Sequence, residues 1–232
     1  MKKIDGYWNQ QKDKQTSDST NAQHGKQSTD QNVVSFKQEA AVSPMSRWAN
    51  RFIIAAIVQG ALAAGLTGYL LASGIGWLGG VPASKIVAAG GAGTWLTVGY
   101  LTYIILGPIA VAVTVLFYQH LETGLRSPYT GWTKLMAWAH LLLMNVGVVG
   151  ATWLMMNAGF RGGAAAFPLS QGGLGYSGAN AGLVHTNIMQ YYPPYIAAFI
   201  AIAIAGAFLG GLGYVIIWRR SLKASVRSVV QH

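Results

Sequence analysis

Phe52-Ile53-Ile54-Ala55-Ala56-Ile57-Val58-Gln59-Gly60-Ala61-Leu62-Ala63-Ala64-Gly65-Leu66-Thr67-Gly68-Tyr69-Leu70-Leu71 contains no aspartate, glutamate, lysine or arginine. About 20 apolar residues, rising 1.5 Å each, carry a helix across the hydrocarbon core of a bilayer. No water is present there, so the backbone must bond to itself, and a helix is the form that does so within one segment. The run continues to about Trp77, and three more follow over 95–118, 133–158 and 194–218. Apart from Lys134 at the mouth of the third, none carries a charged side chain. The pattern predicts an all-α integral membrane protein with four transmembrane helices, over 52–77, 95–118, 133–158 and 194–218, in a transmembrane domain of residues 47–223.

The rest of the 232-residue chain agrees. It is 52% hydrophobic and 9% charged, with a mean hydropathy of +0.36, against roughly 25% charged residues in a soluble domain. The lack of cysteine excludes disulfides, zinc–thiolate sites, iron–sulfur ligation and a thiol nucleophile. Residues 1–46 differ in kind: Asn9-Gln10-Gln11-Lys12-Asp13-Lys14-Gln15 is typical of them. So polar a stretch buries too little surface to offset the entropy of ordering, and it is expected to be a disordered tail. No long apolar run follows its basic start, so it does not read as a signal peptide. Residues 224–232 are expected to form a short basic C-terminus.

The charges are distributed with a bias. Fourteen Lys and Arg fall in the tail and its junction, between the second and third spans, and after the fourth; only Lys85 and Arg161 fall on the other side. Basic residues are retained on the cytoplasmic face, so both termini are expected in the cytoplasm, with the protein multi-pass in the plasma membrane. The net charge of +10 is then a topology signal and an attraction to anionic lipid, and no nucleic-acid partner is expected.

Small residues recur inside the spans, at Gly60 and Gly65 in the first and at Gly206 and Gly210 in the last. In lipid such residues let helices approach closely, and these four are expected at helix–helix contacts. Pro108 is expected to kink the second helix, because it lacks the N–H that would bond the carbonyl of Ile104. Trp77, Trp95, Tyr100, Tyr103, Trp132, Tyr191, Tyr192, Tyr195 and Trp218 are expected at the membrane interfaces. The glycine-rich stretch 159–193 is expected to be a flexible outer loop that packs on a partner, since a loop of that length is unusual otherwise.

Five histidines are the strong candidate ligands. His24 and His232 lie at the ends, His120 at the inner end of the second span beside Glu122, and His185 in the outer loop. His140 alone lies within a span, where an ionisable group is a functional-site hypothesis by default. It is expected either to bond a neighbouring helix, through Asn145, a tyrosine or a carbonyl, or to ligate a cofactor. Gly173-Leu174-Gly175-Tyr176-Ser177-Gly178 matches a dinucleotide fingerprint, but without the preceding strand, following helix and later acid that its mechanism needs. No span holds a carboxylate for a proton relay or for ion coupling, no catalytic residue is singled out, and no metal site is expected.

Trp138-Ala139-His140-Leu141-Leu142-Leu143-Met144-Asn145-Val146-Gly147, running on through Trp153 to Arg161, is similar to the penultimate helix of the haem–copper oxygen reductase (terminal oxidase) catalytic subunit. Pro193-Pro194-Tyr195 through Phe208, with Trp218-Arg219-Arg220-Ser221-Leu222, resembles that subunit's last helix. The resemblance covers roughly residues 94–223. The family's haem-ligating His-x-His pair has no counterpart, because Trp95-Leu96-Thr97-Val98-Gly99-Tyr100 stands there. The resemblance therefore implies a non-catalytic membrane subunit of a respiratory terminal oxidase, or of a related quinol-oxidising complex, packing against a haem-bearing subunit and binding no cofactor alone. An alternative is a haem-b or quinone-binding membrane anchor, with His140 supplying one ligand and a neighbouring chain the other, so that haem sits at an interface. A small-molecule channel or transporter is the third reading.

The topology is directly testable. Cysteine introduced at Ser177 should react with a membrane-impermeant maleimide on intact cells, whereas cysteine at Ser28 should react only after permeabilisation. The reverse pattern would invert the orientation.

Overall fold

The computed structural model describes residues 46–230. The tail expected before Ser46 lies outside the described residues. Within them the chain is all-helical, and four helices are long and apolar enough to cross a membrane. Helix α1 spans Arg47–Gly74, α3 Gly93–Gly124, α4 Trp132–Ala165 and α6 Pro193–Val230, of which Pro193–Lys223 is the apolar span. Two short helices, α2 (Ala83–Ala88) and α5 (Gly182–Asn187), lie in the two connections at the far face. Four crossings return the last helix to the face on which the first began.

Every span is longer than its apolar run. Helix α1 starts at Arg47, before Phe52, because the Ser46 hydroxyl accepts from the Ala49 N–H at 2.9 Å. That bond satisfies one of the four N–H groups that a helix start leaves without partners. It stops at Gly74, short of Trp77, where Gly76 turns the chain with φ +79°. Helix α4 continues seven residues past Ala158 through Gly159, Gly162 and Gly163, and so takes in part of the stretch expected to be a loop. Glycine is a poor helix former; tertiary contact overrides this, because Gly159 abuts the backbone at Trp95 and Leu96, and Gly163 lies against Ile86 and Gly93. Helix α6 opens on Pro193, whose missing N–H is harmless in a first turn, and carries helix past Trp218 to Val230.

Pro108 widens α3 instead of breaking it. Over Ile105–Ile109 the backbone is π-helical, and the Ala110 N–H bonds the carbonyl of Ile105, five residues back. One extra residue in the turn accommodates the proline ring, which otherwise clashes with the preceding turn. A second π-helical turn, His120–Gly124, ends α3, where the Leu125 N–H bonds the His120 carbonyl at 2.9 Å.

Helix α4 is the hub of the bundle, packed against α3 along its far half and against α6 along its near half. Glycines on both sides make those seams. A Cβ at Gly206 would lie 2.6 Å from the Met144 nitrogen, and one at Gly99 2.9 Å from both the Met156 nitrogen and the Thr152 carbonyl oxygen. Gly147 meets the backbone of Ala203, and Gly150 the ring of Phe199. Helix α1 packs chiefly along the second half of α3. Its glycines differ: a Cβ at Gly60, Gly65 or Gly68 would meet nothing within 4 Å. The contacts expected at Gly60 and Gly65 are therefore not made among the described residues.

Residues 166–192 do not hang free. The N–H groups of Leu174 and Tyr176 both bond the carbonyl of Ala165, at 3.2 and 3.0 Å, satisfying the end of α4. Val184 and Met189 pack with Ala158 and Ala165. The expected glycine-rich loop thus covers the far end of its own bundle.

The two glycine classes should separate cleanly. Gly147→Ala should cost about 1–3 kcal/mol, as overpacking does, because the obstructing atoms are backbone. Gly65→Ala should leave thermal unfolding in detergent unchanged or slightly raised.

Candidate functional site

The site begins where α1 starts. Its first N–H groups need acceptors, and the end of α3 supplies them: Ser46 N–H donates to Gln119 Oε1 at 2.9 Å, and Trp48 N–H to Glu122 Oε2 at 3.3 Å. A carboxylate is favoured there because the aligned peptide dipoles leave a helix start partly positive. This docking holds Trp48 and Phe52 against α3 and α4. Phe52 stacks on Tyr118 with centroids 4.6 Å apart, Tyr118 lies 5.0 Å from Tyr129, and Trp48 meets Trp138 edge-on at 5.4 Å. The Arg51 guanidinium sits over both indoles, 4.5 Å from the Trp48 ring and 4.7 Å from the Trp138 ring. The negative faces of the rings attract the cation, so it tolerates a position one turn into the helix.

His140 lies behind this aromatic cluster, 8% exposed. Its Nδ1 is 3.1 Å from the Tyr118 hydroxyl, and its Nε2 is 3.2 Å from the Met144 sulfur. A thioether only accepts, so these partners assign the proton to Nε2 and make Nδ1 the acceptor of the Tyr118 O–H. The ring rests directly on Gly210, where any Cβ would collide with it. Of the partners expected from sequence, a tyrosine is the one found. Asn145 turns elsewhere.

Beside His140 is a cavity of about 440 Å³ between α3, α4 and α6. Thr114, Phe117, Tyr129, Ala207, Gly211 and Tyr214 line it together with His140. Phe117, 53% exposed, stands on its rim, so the cavity opens on the flank that faces hydrocarbon. Tyr129 is only 7% exposed, yet its hydroxyl has no hydrogen-bond partner among the described residues, and neither has that of Tyr214. No fully buried polar side-chain atom among the described residues lacks a partner, so the Tyr129 hydroxyl keeps some exposed surface. Burial, reinforced by Glu122 and Tyr214, holds the Tyr129 phenol well above its ordinary range. It stays protonated, and a donor.

A second polar cluster ties three helices together deeper in the bundle. Gln59, 4% exposed, donates from Nε2 to Asn145 Oδ1 at 2.9 Å and accepts the Tyr103 O–H at Oε1 at 2.6 Å. Asn145 donates in turn to the carbonyl of Leu141 at 2.6 Å. Tyr100 similarly pairs with Thr67 at 2.9 Å. Tyr100 and Tyr103, expected at an interface, are thus internal cross-links: a phenol buried in an apolar bundle needs a partner, and Gln59 and Thr67 provide it. Trp77 and Trp132 do stand exposed.

At the far face a larger hollow, about 640 Å³, is lined by Arg161, Asn187, Tyr191, Tyr192 and Tyr195 among others. Tyr192 donates to Asn157 Oδ1 at 2.6 Å.

Among the described residues the candidate histidines lie apart. His24 and His232 lie outside the described residues, His120 is on the surface at the end of α3, and His185 is in α5. Among the described residues no three His, Cys, Asp or Glu side chains converge on one point. As an axial ligand His140 would need a free nitrogen facing a haem-sized space. Both its nitrogens are engaged within the bundle and Gly210 closes its face, so the residues present do not fit a haem. Sequence reading missed Tyr118, Tyr129, Arg51 and Gln59. Gln59 carried a signal, as the one amide in an otherwise apolar first span; the others sit in ordinary interfacial positions.

No protein-family model, no curated protein and no solved structure matches this chain.

The central network makes a graded prediction. Asn145→Ala should lower stability in detergent by about 1–2 kcal/mol, because it leaves the Gln59 amide without its acceptor. The double variant Gln59→Leu, Asn145→Leu should recover part of that loss, since removing both partners strands no donor; Tyr103 then keeps the Gln59 carbonyl position, 3.3 Å away.

Proposed function

We propose that this chain is a non-catalytic membrane subunit of a respiratory terminal oxidase of the haem–copper type, or of a related quinol-oxidising complex. It packs on the cofactor-bearing subunit in the plasma membrane, with both termini in the cytoplasm. The observation that carries this reading is the open face of α1. Gly60, Gly65 and Gly68 point into empty space, while Gly99, Gly147, Gly159, Gly206 and Gly210 on α3, α4 and α6 are already filled by neighbours. Small residues on a span favour close approach of another helix over contact with lipid, and no helix among the described residues takes that place.

Two further points support it. The resemblance of α4 and α6 to the last helices of the oxidase catalytic subunit lacks the haem-ligating pair, and His140 is committed to Tyr118 and Met144. Haem therefore belongs on the partner. The polar side chains deep in the bundle bond one another across helices, as in a scaffold whose task is to hold shape.

Isolation of the tagged chain in a mild detergent tests the reading. A haem-containing partner, scored by the pyridine haemochrome spectrum, should co-purify, and Gly65→Leu should reduce its yield at least several-fold while leaving the bundle folded. A stable, haem-free homo-oligomer without a partner would sink the proposal.

A further inference from the structure

The hollow at the far face contains a cation that no described residue answers. About 640 Å³ in volume, it is walled by the end of α4, the connection that follows and the start of α6. Arg161 of α4 lines it and is exposed. The described residues give its guanidinium no ion pair, hydrogen bond or ring contact. The segments at that face hold no countercharge either. All six acidic residues, Asp5, Asp13, Asp18, Asp30, Glu39 and Glu122, precede α1 or lie at the near end of α3. The carbonyls that end α4 are already taken: those of Gly163, Ala164 and Ala165 accept from the N–H groups of Ala166, Phe167, Leu174 and Tyr176.

The lining also changes character with depth. Leu154, in the same wall, precedes Arg161 along α4 by about 10 Å of helix, toward the middle of the bilayer. Tyr191 and Tyr195 line the hollow and are more than half exposed, as tyrosines at headgroup depth are. A ligand matched to this wall carries negative charge at one end and hydrocarbon at the other.

We propose that the hollow seats an anionic phospholipid of the leaflet at that face, its phosphate held by Arg161 and an acyl chain descending past Leu154. The guanidinium fork meets two phosphate oxygens at once, and the volume lies within the range of ligand pockets, roughly 300–1,000 Å³. Charge selects among lipids. A zwitterionic lipid brings an ammonium with its phosphate, and the far-face segments contain no carboxylate to receive it; phosphatidylglycerol brings the phosphate alone. This differs from the diffuse attraction of the basic face opposite, because one arginine and one hollow carry it. It concerns the chain by itself, so it goes beyond the subunit reading and does not depend on it.

The test places the full chain in phosphatidylcholine nanodiscs with a trace of phosphatidylglycerol bearing a diazirine on its acyl chain. After irradiation, adducts are mapped by peptide mass spectrometry, with the exposed Ile54 and Ile57 of α1 as the reference for bulk lipid contact. Adducts should concentrate on the peptides holding Leu154 and Tyr195, and a phosphatidylcholine probe should give several-fold fewer there. Arg161→Gln should lower the phosphatidylglycerol yield at those peptides about fivefold or more, as loss of a charge-assisted pair does. Lys85→Gln, at the other cation of that face, should change it less than twofold. Should the glutamine variant fail to fold, Arg161→Lys, which keeps the charge without the fork, should still show a several-fold loss. Equal labelling by the two probes, or an Arg161→Gln yield like that of the native chain, overturns the proposal. An arm with millimolar inorganic phosphate separates the other source of this chemistry: full loss of the adducts would mark a free-anion site and overturn the lipid assignment. Absence of a haem partner in the co-purification leaves this result untouched, so the two proposals fail separately.

Discussion

The contact of α4 with its two neighbours, backbone against backbone, sets the terms for everything else in the bundle. Apolar side chains gain little by leaving lipid for protein, so helices in a membrane hold together where surfaces fit and polar groups pair. Gly147, Gly206 and Gly210 provide the fit toward α6, and Gly99 and Gly159 toward α3. At each of these positions a single methyl group would strike main-chain atoms or a ring that cannot yield. The close approach brings Gln59, Tyr103 and Asn145 within bonding range, and it lays the His140 ring flat on Gly210.

Polar pairing then does what packing alone cannot. Each hydrogen bond in the central cluster joins two different helices or locks a side chain onto its own helix, and together they fix how α1, α3 and α4 are rotated about their axes. The glycine seams define distance, and the Gln59–Asn145–Tyr103 cluster defines register. The π-helical turn at Ile105–Ile109 belongs to the same arrangement: Gly107 in that turn faces the Tyr103 ring and the Gln59 amide, where a Cβ would be 3.1 Å from the ring and 3.4 Å from Oε1. Proline and glycine are adjacent there because the backbone must both widen and make room.

The aromatic cluster at the start of α1 occupies the boundary between water and hydrocarbon. Arg51 lies between two indoles, Glu122 receives a helix N-terminus, and Tyr129 stays protonated under burial. Charged and aromatic groups thus cover the end of the bundle while leaving one neutral, partly polar hollow beneath, open sideways to lipid. Tyr129, Tyr214 and His140 in its lining distinguish it from the apolar crevices between lipid-facing side chains.

The sequence alone determined that the chain crosses a membrane four times, because freedom from charge over twenty residues is a local property and solvation responds to it directly. It also marked Pro108 and His140, which are conspicuous against an apolar background. Helix ends were less legible: Ser46 caps α1, and Gly159 through Ala165 remain helical, only through atoms elsewhere in the chain or the turn geometry they meet. The glycines carried an ambiguous message. Gly60, Gly65, Gly206 and Gly210 read alike, yet two are filled by α4 and two face nothing, and only the rotation of each helix decides which. Tyr100 and Tyr103 were read as interfacial for the same reason, since spacing does not say which face of a helix meets a partner. The cavity and its donors were invisible for a deeper cause. Tyr118, Tyr129, His140 and Tyr214 come from three helices and a turn, and a site assembled across separate segments exists only once the helices have met.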